Sequence, residues 1–312
     1  MFEGKEMRQV LCDFLDEMMA NDSKIVVIDA DLAKANGTFN LRNKYPDRAI
    51  DVGIAEQNMA SIAAGMASYG YKPFILSFTP FATRRICDQI AISICYANQN
   101  VKIIGTDPGI SAEFNGGTHM SVEDIGVLRS IPNLVIYEPV DAIQLYKSLP
   151  QILDYEGPLY IRMFRKVAEP VFDENYEFNL FKADTVKEGN DVTVLASGIM
   201  VREALKASEE LVKEGINVEI INVHTIKPLD EETILTSLRK TRACVVCENH
   251  NLVGGLFSAV SELVVEKLPM RVHKIGIPDR FGEVGKMPYL KEVMGMTSLD
   301  IIKAIRSALN DK

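Results

Sequence analysis

Glu56 is the residue of this sequence that is best placed for proton chemistry. It lies in the segment GIAEQNM at residues 53–59, between a strand-like stretch and a helix of small residues expected to run to Ser68. A helix N-terminus favours an anion, whereas apolar surroundings disfavour the charged form of a carboxyl group. The combination predicts a carboxyl group that can share a proton with a ligand, although a first-turn glutamate also occurs for purely structural reasons.

An aromatic pair follows the next predicted strand. Phe78 and Phe81 stand three residues apart where the strand ends, and Pro80 suits the first turn of the helix that follows. Ligands of open α/β sheets bind beyond the carboxyl ends of the strands, where flat rings can face a ring-shaped ligand. Packing of the two rings in the core is the alternative.

A third candidate is His119, in the sequence Gly-Gly-Thr-His at residues 116–119. This loop comes after a predicted strand at residues 101–105 and is rich in glycine, asparagine and serine. A histidine beyond a strand end can transfer protons or bind substrate, and a structural role is again the alternative.

The elements that must position these residues follow an α/β pattern. Continuous runs of Val, Ile and Leu, separated by amphipathic helical stretches, are typical of parallel sheets covered on both faces. The predicted strands of the first half are 24–29, 73–78, 101–105, 134–138 and 159–162. An irregular stretch then precedes a second series of strands and helices. We therefore expect a first domain at 1–168, a linker at 169–189 and a smaller α/β domain at 190–312.

Composition excludes several classes of protein. The 312 residues carry a net charge of −9 without basic clusters, which argues against a nucleic-acid partner. No apolar run approaches the ~20 residues of a membrane span, and no secretory signal is visible, so a cytoplasmic location is expected. Five scattered cysteines argue against a disulfide framework. Cys244 and Cys247 have the spacing of a metal or redox pair, but their apolar strand favours a structural role.

Read in order, these segments resemble the C-terminal half of transketolase, a thiamine diphosphate enzyme, over essentially the whole chain. The glutamate motif, the aromatic pair and the Thr-His loop of that family match Gly53, Ile54, Glu56, Met59, Phe78, Phe81, Thr118 and His119. The resemblance implies a parallel-sheet pyrimidine-binding domain followed by the C-terminal domain of the family, which is not catalytic.

The resemblance also implies roles for individual residues. Glu56 would share a proton with N1′ of the cofactor's pyrimidine ring, and His119 would complete the catalytic pair. The cofactor contacts would include Ile54, Phe78, Phe81 and Arg84. Those to substrate would be Arg8, Asp31, Ala35, Asn115, His119 and Arg165, with the two arginines at the terminal anion of the sugar.

A separate partner chain is a further implication. Single-chain transketolases hold the diphosphate and its metal with a Gly-Asp-Gly segment in a preceding domain, and this sequence contains no Gly-Asp-Gly. The resemblance therefore implies an N-terminal subunit that holds the diphosphate and Mg²⁺ or another divalent ion, and an α2β2 heterotetramer formed by the two kinds of chain. Together the chains would move a two-carbon ketol unit between sugar phosphates, as in the pentose phosphate pathway.

Four positions depart from the family pattern at the sugar end of the site. Ala35 replaces a phosphate-contacting serine, Asn115 an aspartate and Arg84 a tyrosine, while Asp107 falls near a family histidine. Pentose phosphates are the favoured substrates, and an unusual ketose, such as a sulfonated one, is the alternative.

Other functions remain open at this point. The beta subunit of a 2-oxoacid dehydrogenase shares the layout and a pair like Asp88-Gln89, and deoxyxylulose-phosphate synthase has a strand end like Arg162 to Arg165. A non-catalytic assembly or regulatory subunit would not need Glu56 and His119 together. A nicotinamide-binding protein is disfavoured, because no Gly-x-Gly-x-x-Gly opens a helix after the first strand.

Overall fold

The computed structural model describes Phe2 and residues 4–312. Two compact units are present: one comprises the chain up to Pro108 together with Val127–Leu180, and the other Gly109–Gly126 together with Phe181–Lys312. The domain limits expected from the sequence are continuous stretches of chain, whereas each compact unit combines two separate stretches. The expected limits therefore remain a prediction.

The first unit is built on parallel strands. Their bounds are β1 Ile25–Asp29, β2 Ala49–Asp51, β3 Lys72–Phe78, β4 Lys102–Thr106, β5 Val135–Tyr137 and β6 Leu159–Met163. They lie in the order β5-β6-β4-β3-β1-β2, and each neighbouring pair is parallel. Strands β1, β4, β5 and β6 are buried along their whole length. The continuous apolar runs therefore predicted the sheet correctly.

Helices connect these strands. Their bounds are α1 Met7–Asn21, α2 Ala33–Asn36, α3 Phe39–Lys44, α4 Glu56–Ser68, α5 Thr79–Ala82, α6 Asp124–Arg129 and α7 Ala142–Asp154. A 3₁₀ turn at Arg84–Ile86 and a π-helix at Gln89–Tyr96 follow α5. Glu56 is the first residue of α4, and Pro80 lies in the first turn of α5, as predicted.

The carboxyl ends of four adjacent strands carry the candidate residues of this unit. Asp31 follows β1, Phe78 ends β3, Asp107 follows β4 and Arg165 follows β6. Because these strands are parallel neighbours, their carboxyl ends meet at one edge of the sheet, where α/β proteins bind ligands.

The second unit contains its own sheet. The strands of this sheet are β7 Asp184–Lys187, β8 Val192–Ala196, β9 Val218–Asn222, β11 Cys244–Asn251 and β12 Val272–Ile277, and the short strand β10 Thr225–Lys227 lies outside it. The order β12-β11-β8-β9-β7 is parallel except for β7, which is antiparallel to β9. Strand β7 lies in the stretch expected to be irregular. It is a half-buried edge strand, so it lacks the continuous apolar signal of the others.

The helices of the second unit are α8 Ile199–Leu211, α9 Glu231–Thr241, α10 Leu256–Lys267, α11 Met287–Met294 and α12 Ser298–Asn310. Asp230 and Thr297 cap α9 and α12 through their side chains, in agreement with the capping residues that the sequence offers directly before these two periodic segments. The sequence predicts helices at 201–214, 231–240, 255–266 and 298–309 in this unit, and it misses α11. Among the described residues, no helix has both the length and the apolar character needed to cross a membrane.

The cysteine side chains of the structure are free thiols. Cys244 and Cys247 lie side by side in the buried strand β11, and burial raises the pKa of Cys244 to about 12 and that of Cys247 in the same direction. A thiol that stays protonated is a poor nucleophile and metal ligand. The structural role favoured from the sequence fits this environment.

Candidate functional site

Glu56 is buried, with 4% of its surface exposed. Its Oε1 accepts a hydrogen bond of 2.6 Å from Nη1 of Arg85, whose side chain is 43% exposed. A buried carboxylate requires a donor or a cation to offset its desolvation. Arg85 supplies that partner from an exposed position, so the carboxyl group is buried yet faces a polar side chain at the surface of the unit.

The aromatic pair adjoins this ion pair. The guanidinium carbon of Arg85 lies 3.8 Å from the centroid of the Phe81 ring. The centroids of Phe81 and Phe78 are 6.3 Å apart, with the rings tilted by 50°. Both rings are half-buried, so they pack on their neighbours and keep part of their surface accessible.

Arg165 is placed against the other ring of the pair. Its guanidinium carbon lies 5.0 Å from the Phe78 centroid, and its Nη1 donates to the carbonyl oxygen of Ala35 at 3.2 Å. Nε lies 2.5 Å from Oδ2 of Asp107. Neither atom of this pair makes an aligned hydrogen bond, so the contact is an ion pair. Burial raises the pKa of Asp107, and Arg165 acts against that rise.

Arg8 reaches the same carbonyl. Its Nη1 donates to the oxygen of Ala35 at 2.8 Å, while its Nε donates to Oε2 of Glu6 at 2.6 Å. The backbone explains this convergence, because the amide of Arg8, at the start of α1, donates to the carbonyl oxygen of Arg165. The two arginines expected to bind the sugar anion therefore lie beside each other.

These contacts form one continuous row within the first unit, which we name the arginine–aromatic row. Its members are Glu56, Arg85, Phe81, Phe78, Arg165 and Arg8. One end offers a carboxyl group, the middle two ring faces and the other end two guanidinium groups. This order suits a ligand that contains a protonatable ring and a substrate that ends in an anion.

A second network holds the turns beside this row. Asp31 has a positive φ of 62°, and its amide donates to Oδ1 of Asp51 at 3.0 Å. The same oxygen accepts the amide of Gly53 at 2.9 Å, in the turn that leads into α4. Arg42 fixes Asp51 through a 3.0 Å ion pair and binds both oxygens of buried Asp29 at 2.7 Å. The carboxylate of Asp51 thus holds both the turn at Asp31 and the turn at Gly53.

The remaining candidates of the first unit lie outside the row. Ile54 is 76% exposed and Arg84 is exposed. Ala35 is half-buried and offers its carbonyl oxygen to the arginines. By contrast, Arg162 is buried and donates to Glu138 at 2.5 Å, so it forms an ion pair inside the core.

His119 and Asn115 belong to the second unit. Asn115 is exposed, and His119 is half-buried with Nδ1 2.9 Å from Oγ1 of Thr118. Their loop packs against the segment before α11. A Cβ on Gly117 would lie 2.6 Å from the carbonyl oxygen of Gly282, so glycine is required at that contact.

Glu113 anchors the same loop. Its backbone has a positive φ of 48°, and its Oε1 accepts the amide of Met287, the first residue of α11, at 2.9 Å. A side-chain acceptor at a helix N-terminus satisfies an otherwise unpaired amide. The contact fixes the loop that carries His119 within the second unit.

Sequence reasoning missed three of these positions. Arg85 stands four residues after Phe81, a spacing that brings side chains together on a helical turn, and this signal could have indicated it in preference to Arg84. Glu6 lies two residues before Arg8, close enough for a local ion pair. Arg42 carried no signal, because its partners belong to two different strands.

Known proteins share this architecture. The family model described as the transketolase pyrimidine-binding domain matches residues 3–169, and the transketolase C-terminal domain matches residues 181–301. A solved structure described as a split-gene transketolase, inactive β4 tetramer, aligns with a TM-score of 0.89 and 37% identity, covering 98% of this chain and 99% of that one.

Curated relatives agree. The 6-deoxy-6-sulfo-D-fructose transketolase subunit SqwH of Clostridium sp. (strain MSTE9) is 50% identical over 98% of this chain and 95% of its own. The 1-deoxy-D-xylulose-5-phosphate synthase 1 of Geobacter sulfurreducens is 34% identical over 96% of this chain, which spans 47% of that longer protein. With both of its domain models matched in order, this chain belongs to the transketolase family.

Proposed function

We propose that this chain is the pyrimidine-domain subunit of a two-chain transketolase, which moves a two-carbon ketol unit from a ketose to an aldose. The observation that supports it most directly is the arginine–aromatic row. It brings a buried carboxyl group, two ring faces and two guanidinium groups into one line of contacts within the pyrimidine-binding domain.

The residues at the Glu56 end fit the aminopyrimidine ring of thiamine diphosphate. A buried carboxyl group can hold a proton at N1′ of that ring, in surroundings where such a hydrogen bond is strong. Phe78 and Phe81 are half-buried and offer ring faces for stacking, worth about 0.5–1.5 kcal/mol per aromatic pair. When bound, the cofactor supplies the carbon nucleophile for the two-carbon transfer.

The residues at the other end would bind the sugar. Arg8 and Arg165 present guanidinium groups that pair with a terminal anion. His119 would donate a hydrogen bond to a sugar hydroxyl or carbonyl oxygen. The chain's own contribution is thus to hold a proton at one end, to bind an anion at the other and to orient the substrate between them.

A partner chain would complete the enzyme. We infer an N-terminal subunit that holds the diphosphate and Mg²⁺, in an α2β2 assembly. The names of the relatives support this inference, since one is a transketolase subunit and another is a split-gene transketolase whose β4 tetramer is described as inactive.

A sulfonated ketose is a second candidate substrate. It is favoured by the 50% identity to a subunit named for 6-deoxy-6-sulfo-D-fructose and by Ala35, which lacks the hydroxyl of the expected phosphate-contacting serine. Ketose phosphates remain the family expectation.

Glu113 offers a test of the His119 loop. Glu113→Ala removes the acceptor for the amide of Met287, which costs about 0.5–1.5 kcal/mol of stability, and the displaced loop is expected to lower kcat/KM for ketol transfer about tenfold. Glu113→Gln keeps an oxygen at that place and should retain near-normal kinetics. Steady-state kinetics and thermal melting of both variants decide this, and equal losses in the two would contradict the anchoring role.

The function itself is tested by co-purifying this chain with an N-terminal transketolase subunit. The reconstituted complex, supplied with thiamine diphosphate and Mg²⁺, is offered xylulose 5-phosphate or 6-deoxy-6-sulfo-D-fructose as donor and an aldose phosphate as acceptor. We expect transfer that requires both chains. Turnover of 2-oxoacids in place of ketoses would instead support a dehydrogenase or a deoxyxylulose-phosphate-synthase type of reaction.

A further inference from the structure

The arginines of the anion-binding end are already paired with carboxylates. Glu6 lies 2.6 Å from Nε of Arg8, and Asp107 lies 2.5 Å from Nε of Arg165. We name these four side chains, with the carbonyl of Ala35 between them, the anion pocket. These two positive and two negative side chains are together formally neutral before a substrate binds, and the positive charge of the neighbouring Lys166 also acts on Asp107.

The two carboxylates differ in how strongly they would act on a bound anion. Asp107 is 2% exposed, so water screens its charge poorly. The side chain of Glu6 is 38% exposed, and solvent and salt weaken its field. Asp107 therefore dominates the electrostatic selectivity of the pocket.

A neutral pocket discriminates between anions of different charge. A phosphate monoester carries about −1.5 to −2 charges at pH 7, because its second pKa is about 6. A sulfonate carries a single charge at any physiological pH while offering the same three oxygens to the guanidinium groups. The second phosphate charge would face Asp107 at close range in poorly screened surroundings, and repulsion there is strong.

The number of hydrogen-bond donors in the pocket also favours a sulfonate over a phosphate. Nη1 of Arg8 and Nη1 of Arg165 both donate to the carbonyl of Ala35, at 2.8 and 3.2 Å. The side chain of Ala35 offers no hydroxyl donor in addition. A dianion with three strongly accepting oxygens needs more donors than a weakly basic sulfonate.

We propose that Asp107, assisted by Glu6, makes the anion pocket selective for a monoanionic terminal group, so that it accepts a sulfonate in preference to a phosphate. The proposal rests on the proposed function, since it assigns the substrate class of the same site. Asp107 acts here as a specificity-determining residue that sets the charge beside Arg165.

The test compares two donors on the reconstituted complex. The ratio of kcat/KM for 6-deoxy-6-sulfo-D-fructose to that for fructose 6-phosphate is measured for the unaltered protein and for Asp107→Asn. We expect the unaltered complex to prefer the sulfonate and Asp107→Asn to shift the ratio toward the phosphate at least about tenfold. Glu6→Gln should give a smaller shift in the same direction.

Glu17→Gln is the matched control, because Glu17 is an exposed carboxylate further along α1. It should leave the ratio unchanged. An unaltered protein that prefers the phosphate, or an Asp107→Asn complex that keeps the original ratio, would overturn the proposal. If Glu17→Gln and Glu6→Gln shifted the kcat/KM ratio equally, the effect would follow from the overall charge of the protein, and this result would also overturn the proposal.

Equilibrium binding separates this proposal from the proposed function. Titration calorimetry of the complex with each of the two sugars, without an acceptor, gives the ratio of their Kd values even where no transfer occurs. Absence of transfer from every donor would then refute the transketolase function alone.

If Asp107→Asn does not assemble, the unaltered complex is titrated with both sugars at pH 7.5 and at pH 5.5. Of the two sugars, only the phosphate loses charge in that range, so its Kd relative to that of the sulfonate tests the charge argument. Tightening of the phosphate relative to the sulfonate at pH 5.5 is expected, and an unchanged ratio would refute the charge argument.

Discussion

Glu56→Gln is expected to lower ketol transfer by the reconstituted enzyme about 10²- to 10⁴-fold, the range typical for loss of a positioned proton-transfer group. Glutamine has nearly the same size and can fill the same buried place, but its amide cannot exchange a proton with a pyrimidine nitrogen. The loss should appear mainly in kcat, because Phe78, Phe81 and the arginines that bind the ligands are unchanged.

The fold should tolerate this substitution. Replacing a buried carboxylate by a neutral amide removes a desolvation cost, and the lost partner, Arg85, is 43% exposed and can be solvated. Ser61→Ala, at an exposed position one turn further along α4, is the matched control and should keep full activity. Thermal melting and co-purification with the partner chain monitor assembly. Retention of more than about a tenth of the normal turnover by Glu56→Gln would refute the proton-holding role.

The sheet of the first unit could be predicted from the sequence because its strands are buried on both faces. Runs such as Ile25–Asp29 and Lys102–Thr106 have consecutive apolar residues at their centres and are buried along their whole length, a pattern typical of a covered parallel sheet. Edge elements were harder to predict. Strand β7 pairs on one side and is half-exposed, so its Asp-Thr-Val-Lys sequence resembles a loop.

The site divides in a similar way. Residues in short local patterns, such as Glu56 at a helix start and Phe78 with Phe81 after a strand, could be selected as candidates from the sequence, and the family resemblance supplied their expected roles. The partners of those residues were not. Asp107 meets Arg165 only because β4 and β6 are neighbours in the sheet, although 58 residues separate the two in the chain. Charge pairing across strands is therefore invisible to a local reading of the sequence.

That pairing also limits what a single substitution at Arg165 can show. Arg165→Met alone would leave the buried carboxylate of Asp107 without its cation, which typically costs about 3–5 kcal/mol of stability. The carboxyl group would respond with a further rise of its pKa, since burial already raises it and Arg165 opposes the rise. A raised carboxyl pKa stabilises the fold at low pH, so this variant should melt at a lower temperature as the pH increases through that pKa.

The double variant Arg165→Met/Asp107→Asn removes both charges together and is expected to raise KM for ketoses with a terminal anion about 100-fold. A charge-assisted hydrogen bond contributes about 1.5–3 kcal/mol, and 1.4 kcal/mol corresponds to a factor of ten. Methionine retains an apolar contact with Phe78, so the aromatic end of the row should keep its geometry.

A ketose that lacks the terminal anion provides the internal control for this variant. Its kcat/KM should change less than about threefold, because it never used the guanidinium group of Arg165. Turnover at saturating anionic donor should also stay near normal, since Glu56 and the two phenylalanines are intact. An equal loss for neutral and anionic donors would show that Arg165 supports the shape of the site instead of binding the anion. A selective loss would mean that the carboxyl end and the guanidinium end of the arginine–aromatic row act as separable parts, one for proton transfer and one for recognition of the sugar.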